Sequence, residues 1–352
     1  MVWSGPVDEE VRVCMASFLT HHIERRIFVV IDGIIRRHRR SALLVIGLTS
    51  FLLLFFSVPL MAAPPPQVPS LFVEVKPAPP EEALAADQAD PTVIRSRLVG
   101  VNVGLLTAPD VPEEVPRLVQ LNLFDDAVFT ALLERFEEGW GGALVWRGAI
   151  VGEEHGEVIL VVQDAVVAAN ISLPPAFYQV RFVGDGVHAV REIDQSAFPD
   201  EAEPLTAPAS GSPPDAGAAA LDAAMADGSP IIDVMVVYTG AARAAAGGTA
   251  NMNALINLAV WETNTGYGNS GVGQSLSLAH AAEVSYSEAA FDWGVTLDRL
   301  TYKFDGYMDE VHGWRNTYGA DAVVLLVEGD GVYCGMAWLH TPPTPSSESH
   351  AF

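Results

Sequence analysis

The sequence predicts an α/β region with a mostly parallel sheet, one antiparallel edge strand and two main helices, preceded by a mostly antiparallel β region. Short β-branched runs broken by Gly, Asp and Pro fill residues 91–198, as in antiparallel strands. From residue 230 onward, strand-like and helix-like stretches alternate, which is the order of an α/β fold. Two stretches rich in Pro and Ala, 64–90 and 199–229, predict linkers on either side of the β region.

A charge-free apolar stretch at 41–63 directly follows a basic segment, residues 1–40, that ends in four arginines and a histidine. This order predicts a signal peptide cut after Ala62 or a retained signal anchor, and both alternatives stay open. The charge asymmetry places everything after residue 63 outside the cytoplasm. We therefore expect an exported protein, extracellular or periplasmic, that contacts a membrane only through 41–63. Met15 is an alternative start.

The exported part is strongly acidic. Seven of the 19 basic residues and five of the 44 acidic residues precede the apolar stretch, which leaves a net charge near −27 for the rest. Such a charge repels nucleic acid and anionic membranes, so we exclude both as partners. The two cysteines, Cys14 and Cys334, fall on opposite sides of the apolar stretch. A disulfide of Cys334 would therefore need a cysteine from outside residues 64–352.

One segment of the β region is ambiguous. DDAVFTALLERFEE, residues 125–138, fits a helix, but VFTALLERF also alternates as a strand does. The other runs predict strands, namely VIRSRLVGVNVGLL, LVQLNLF, ALVWRGAIVG, EVILVVQDAVVAANISL and FYQVRFVGDGVHAVREI.

The residue pattern of 230–352 differs from that of the β region, because strand-like and helix-like stretches alternate. IIDVMVVYT is a continuous apolar run, which predicts a strand buried on both faces. MNALINLAVWETNTGYGNSG and LDRLTYKFDGYMDEVHGWRNTYG have helical spacing and end in Gly or Asn, so each predicts one helix. SLSLAHAAEVSY and ADAVVLLVEG predict further strands, and CGMAWLH predicts a short antiparallel edge strand.

The histidines carry no metal signature. Among the six that follow the apolar stretch there is no HExxH and no Cys/His cluster, and the chain has no G-x-S-x-G. His155 and His188 lie beside glycines at turns and are expected to be solvated. His280 and His312 lie on a predicted strand and helix and are expected to be structural.

The order of IIDVMVVYT, AARAAAGG, LAVWETNTGYGNSGV, LSLAHAAEVSY, LDRLT, DGYMDEVHGWRNTYGADAVVLLVE and YCGMAWL resembles the first half of a bacterial zinc metallopeptidase of the metzincin clan, in its reprolysin-like (adamalysin-type, M12B) branch. The resemblance covers residues 230–352. Residues 91–198, with LNLFDD, NISLP, YQVR and GDGVHAVREIDQSAFP, are similar to the propeptide region that precedes such domains.

The resemblance implies zinc as cofactor and protein or peptide substrates. In that family, HExxHxxGxxH supplies the zinc ligands and a glutamate base, and this motif is absent from the sequence. The resemblance therefore gives no catalytic residue and no metal ligand here. It also implies that the edge strand pairs with extended substrate. The matching positions are Gly335, Met336, Ala337, Trp338 and Leu339.

Two hypotheses follow from the resemblance. The first is a secreted zinc endopeptidase zymogen, present here as an inactive fragment that stops at Phe352 before the zinc motif. Its own propeptide would act on the catalytic domain without a cysteine, because residues 64–229 contain none. The second is an exported non-enzymatic protein, a pseudoprotease or binding module.

Overall fold

The structure is a computed structural model that describes residues 68–76, 84–107, 117–200, 202–203, 205–206 and 231–339. All of these residues belong to one compact unit. The predicted membrane segment at 41–63 lies outside them. None of the helices in the described ranges is long and apolar enough to cross a bilayer.

Nine strands form one antiparallel sheet between residues 72 and 193, accompanied by two short helices, α1 (Ala85–Ala89) and α2 (Gly104–Thr107). The order across the sheet is β1, β2, β9, β8, β7, β6, β5, β4, β3, so the strands from β3 to β9 pair with their neighbours in the chain. The strand bounds are β1 Phe72–Val73, β2 Val93–Val101, β3 Arg117–Phe124, β4 Ala127–Glu138, β5 Leu144–Ile150, β6 Glu157–Gln163, β7 Val166–Leu173, β8 Ala176–Gly184 and β9 Val187–Ile193.

Tight turns fix the register of this sheet. Asp164 and Ala165 join β6 to β7 with φ values of 48° and 68°, and Asp185 and Gly186 join β8 to β9 with 49° and 76°. Two consecutive residues of positive φ form the turn whose twist matches a hairpin, and Asp and Gly accept this conformation most readily. The ambiguous segment 125–138 is resolved as the strand β4, whose neighbours are β3 and β5.

The first strand closes the sheet. β1 pairs antiparallel with β2, while Leu71 N–H donates to the Gln120 carbonyl of β3 at 2.9 Å and Gln120 N–H donates to Pro69 O at 2.8 Å. The Asn122 side chain adds two hydrogen bonds to the backbone of Phe72. The two ends of the strand order therefore meet at residues 69–73. Buried apolar side chains fill the interior, among them Leu121, Leu133, Leu160, Ile171, Val180 and Val190.

The C-terminal part contains a parallel sheet of three strands in the order β12, β11, β13. A separate two-stranded pair joins β10 to β14. Thr239 accepts the N–H of Ala242 and Asp292 accepts that of Val295, which begins the first and third of its four helices. The bounds are β10 Leu205–Thr206, β11 Ile231–Thr239, α3 Gly240–Ala245, α4 Thr249–Asn269, β12 Ser275–Val284, α5 Trp293–Thr301, α6 Asp309–Tyr318, β13 Ala322–Leu326 and β14 Trp338–Leu339.

Helix α4 lies between the two sheets and is apolar on opposite sides. Ala254, Leu255 and Leu258 pack against the outer face of the antiparallel sheet. Met252, Ile256 and Val260 pack against β11 and β12. A helix that is apolar on both sides has to be covered on both sides, and here each cover is a different sheet.

The predicted fold class is wrong. The dominant sheet is antiparallel and has nine strands, whereas the parallel part has only three. The predicted antiparallel edge strand at 335–339 is not part of that parallel sheet: its last two residues form β14, which pairs in parallel with β10. The physical reason is that Leu205 and Thr206 offer an extended backbone to this strand.

The two predicted main helices are also incorrect in number. The stretch 297–319 was expected to be one helix, but it is divided between α5 and α6 by residues 302–308. The carboxylate of Asp309 accepts the N–H groups of Phe304 and Gly306 at 2.6 and 3.2 Å, which stabilises a turn in front of α6. Phe304 and Met308 have positive φ in this turn, so the helix cannot continue through it.

Candidate substrate-binding edge

The strand predicted to bind substrate is covered by an upstream segment of the same chain. Gly335 O accepts the N–H of Ala202 at 3.3 Å, and Ala337 O accepts the N–H of Leu205 at 3.1 Å. β14 continues this pairing, with Leu205 opposite Trp338 and Thr206 opposite Leu339. The backbone acceptors of residues 335–337 therefore bind an extended segment from the stretch predicted as a linker.

Trp338 fixes this edge to helix α5. Its side chain is buried, and its indole N–H donates to the hydroxyl of Thr301 at 2.7 Å. Thr301 is buried at the end of α5 and donates to Leu297 O at 2.7 Å. A buried indole N–H needs such an acceptor, and the bond holds the strand at a defined position against the helix.

Cys334 lies at the start of the edge and is buried. Its thiol donates to Pro199 O at 3.1 Å, and its N–H donates to Asp200 O at 3.3 Å. These contacts extend the covered stretch, so that residues 199–200, 202 and 205–206 all contact residues 334–339. The positions Gly335, Met336, Ala337, Trp338 and Leu339 stay a prediction as a substrate site.

Glu288 organises the loop that leads to this edge, at the carboxyl ends of the parallel strands. Its carboxylate accepts the N–H groups of Glu328 and Gly329 at 3.2 and 2.8 Å, and it also accepts the hydroxyl of Thr239. Further along the loop, the N–H of Val332 and the indole of Trp293 donate to Asp330 and hold the pKa of its carboxyl below the usual value. No sequence motif predicted these loop contacts.

The described histidines do not form a metal site. His188 was expected to be solvated, which is wrong: it is 1% exposed and accepts the N–H of Val167 through Nε2 at 3.0 Å. Burial lowers its pKa to about 4. His280 stacks on Tyr318 with 3.8 Å between ring centroids, and His312 is buried, with its pKa lowered chiefly by desolvation. His155 is exposed.

A half-buried acid on α4 was not among the predicted site residues. Glu262 accepts a hydrogen bond from Asn170 of β7 at 2.7 Å, and Asn170 in turn accepts one from Arg181 of β8 at 2.8 Å. Burial raises the pKa of Glu262 to about 8. The available signal was a single acid inside the apolar helix run LAVWETN.

Residues 229–349 match the family described as metallo-peptidase family M12B, reprolysin-like. This part of the chain is thus similar to M12B-type metallopeptidases, and the predicted resemblance is confirmed. The relatives agree. A peptidyl-Asp metalloendopeptidase of Xanthomonas campestris pv. campestris is 33% identical over 273 residues, which are 73% of this chain and 62% of that protein.

A second relative, the peptidyl-Asp metalloendopeptidase of Stenotrophomonas maltophilia strain K279a, is 38% identical over 182 residues, which are 51% of this chain and 42% of that protein. The protein of the same description from Pseudomonas aeruginosa is 31% identical over 124 residues, or 34% of this chain and 20% of the relative. The chain thus spans less than two thirds of the length of each of these relatives.

The family implies a metal, typically zinc. Across the described ranges, no three His, Cys, Asp or Glu side chains come together as a metal-binding group. The described histidines are also held by other contacts, since the Nε2 atom of His188 accepts a backbone N–H and His280 is stacked. These residues do not fit a zinc ion, and no reaction step can be assigned to them.

Proposed function

We propose that this protein is an exported zinc metalloendopeptidase of the M12B type that hydrolyses peptide bonds at aspartate. The observation that carries the proposal is the family match over residues 229–349. The names of the relatives support the choice of aspartate. The apolar stretch at 41–63 after a basic segment supports export.

In this proposal, substrate binds along Gly335, Met336, Ala337, Trp338 and Leu339 by strand addition. Gly335 O and Ala337 O accept the N–H groups of Ala202 and Leu205, and β14 pairs with β10, so this edge already accepts backbone groups of another segment, as strand addition requires. Trp338 supports the role because its bond to Thr301 holds the strand in place before any peptide arrives.

The same contacts support a latent precursor, a zymogen. Ala202 and Leu205 occupy the backbone acceptors that substrate would need. No thiol is required for such a block, in keeping with the absence of cysteine from residues 64–229. The N-terminal region then acts as a propeptide by covering the substrate edge.

The test is hydrolysis of casein and of two peptides that differ only in Asp or Asn, by protein expressed from the complete reading frame of the gene. We expect cleavage of casein and of the Asp peptide, loss of both with 1,10-phenanthroline, and recovery with added zinc. Residues 64–352 alone are the matched control and should be inactive, because the sequence contains no HExxHxxGxxH. Undiminished cleavage in the chelator contradicts the proposal. Peptide binding without hydrolysis by the complete protein favours the non-enzymatic alternative.

A further inference from the structure

We infer that the antiparallel sheet is a lasting noncovalent partner of the M12B-type region: cutting the chain between residues 207 and 230 leaves two pieces that stay together, with Ala202 and β10 still covering the edge 335–339. The inference goes beyond the proposed function and does not depend on catalysis. It concerns the surface between the outer face of the sheet and helix α4.

The apolar part of this surface is buried and continuous. The outer face of β5 to β7 presents small and β-branched side chains, and α4 packs on it through Ala254, Leu255 and Leu258. Val161, Ala168 and Ala254 have no exposed surface at all. Because burial of apolar side chains is the main favourable term in association, this contact supplies the attraction between the two pieces. The sheet residues of the cluster are Ala143, Val145, Ile159, Val161, Val166 and Ala168.

A pair of backbone contacts sets the register of the helix on the sheet. Asn257 accepts the N–H of Trp140 at 2.8 Å and donates to Trp140 O at 3.1 Å. The chain can approach this closely because residue 139 is glycine: a Cβ there would lie 2.5 Å from Asn257 Oδ1. Asn257 is buried, so both bonds form away from water, where an unmade bond is costly.

Polar contacts surround the apolar surface. Asn170 donates to Glu262 at 2.7 Å, and Asn269 donates to Glu157 at 3.1 Å. The guanidinium of Arg147 stacks over the ring of Trp261 at 4.9 Å. An apolar centre with a polar rim is the usual anatomy of a stable protein–protein interface. The two parts of the chain therefore meet as two proteins in a complex do.

Among the residues that the structure describes, neither piece has another segment that could cover its apolar surface after the cut. Without the sheet, α4 would expose Leu255 and Leu258 to water, and without α4, the sheet would expose Val161 and Ile159. β10 stays on the sheet piece, because residues 205–206 precede the cut. A single cut in this stretch is therefore insufficient to open the edge, which needs dissociation of the sheet piece or a second cut before residue 202.

The experiment replaces residues 211–217 of the full chain with the recognition sequence of a site-specific protease. After cleavage, size-exclusion chromatography at neutral pH should give one peak that contains both pieces in equal amounts. The peak should persist on dilution to about 1 μM, the affinity of a modest specific complex. Two separate peaks, or precipitation of either piece on cleavage, overturn the inference. The readout needs no peptidase activity, so its failure is distinct from failure of the proposed function.

Two asparagines of α4 provide a matched pair of variants. Asn257 binds backbone of the sheet piece, whereas Asn264 makes the same two kinds of bond to Leu276 of β12, within its own piece. We expect Asn257→Ala to raise the dissociation constant of the cut complex about tenfold or more, and Asn264→Ala to leave it unchanged. Gly139→Ala should have the same effect as Asn257→Ala, because the added Cβ would clash with the side-chain amide of Asn257. Equal effects of Asn257→Ala and Asn264→Ala contradict a specific contact at Trp140.

Discussion

The two sheets of this protein cover their apolar faces by different means. In the antiparallel sheet, strands from β3 to β9 pair with their chain neighbours, and β1 closes the sheet so that it covers its own interior. In the parallel sheet, β11 lies between two strands that the chain reaches only through helices, and α4 covers one of its faces. The antiparallel sheet buries most of its apolar side chains against each other. The parallel region is covered on one face by α4, and the opposite side of α4 is buried against the antiparallel sheet.

The largest effect is expected from the two sides of α4. Ile256→Ala removes contact with the parallel sheet and Leu258→Ala removes contact with the antiparallel sheet, and each side chain is 2% exposed. Each substitution should lower the free energy of unfolding by about 2–5 kcal/mol. The measurement is urea unfolding followed by tryptophan fluorescence and by far-UV circular dichroism.

The same measurement tests how far the two sheets depend on each other. If α4 couples them, both probes shift together for both variants, in a single transition. Leu118→Ala is the control, because Leu118 is 47% exposed on β3 and should change stability by less than about 1 kcal/mol. An antiparallel sheet that unfolds separately in Leu258→Ala would show that the coupling is weak.

The stability of the protein should depend on pH through His188, the buried histidine of the antiparallel sheet. His188 has its pKa lowered to about 4 in the folded state, by burial, against 6.5 for the free side chain. The contribution of His188 to the free energy of unfolding is therefore fully present above pH 6.5. It decreases as the pH drops toward 4, by at most about 3 kcal/mol. Urea midpoints at pH 7, 5.5 and 4.5 measure this loss. His188→Gln should flatten that part of the profile, and an unchanged profile would show that His188 does not govern it.

The smallest of the three effects, opposite in sign, comes from the interface. Burial raises the pKa of Glu262 to about 8, from 4.5. The contribution of this group to stability is fully present below pH 4.5 and is lost as the pH rises through 8. Because the residue is partly exposed and linked through Asn170 to Arg181, we expect a loss of only about 1 kcal/mol. Glu262→Gln should remove this loss of stability between pH 6 and 9, while Glu153→Gln, at an exposed position before β6, should retain it.

Sequence patterns correctly predicted those strands whose pairing is determined by residues next to them in the chain. EVILVVQDAVVAANISL contains both β6 and β7 because the two-residue turn at Asp164 and Ala165 is encoded next to the strands that it joins. Residues 125–138 were ambiguous because VFTALLERF fits both the helical and the strand periodicity. Only its pairing with β3 and β5 decides for the strand. The apolar stretch that forms α4 was predicted to be a helix, but its packing against the antiparallel sheet was not predicted.

The features that sequence analysis missed depend on long-range contacts. β10 and β14 have two residues each, and they form because two distant backbones meet, which composition does not encode. His188 follows a turn glycine, yet it points into the sheet, where the Val167 N–H lies 3.0 Å away. The break between α5 and α6 follows from a single carboxylate, Asp309, which binds the turn ahead of the helix.

The closure of the antiparallel sheet at residues 69–73 has a consequence for how the protein behaves in a crowded solution. Leu71 and Gln120 satisfy backbone groups that would otherwise lie along the open side of β3, and β1 does the same for β2. A chain shortened to begin at Val93 would present two strands with unpaired backbone, and such edges pair with other molecules. The few residues that join the ends of the sheet thus protect the protein against aggregation, a role unrelated to the peptidase region.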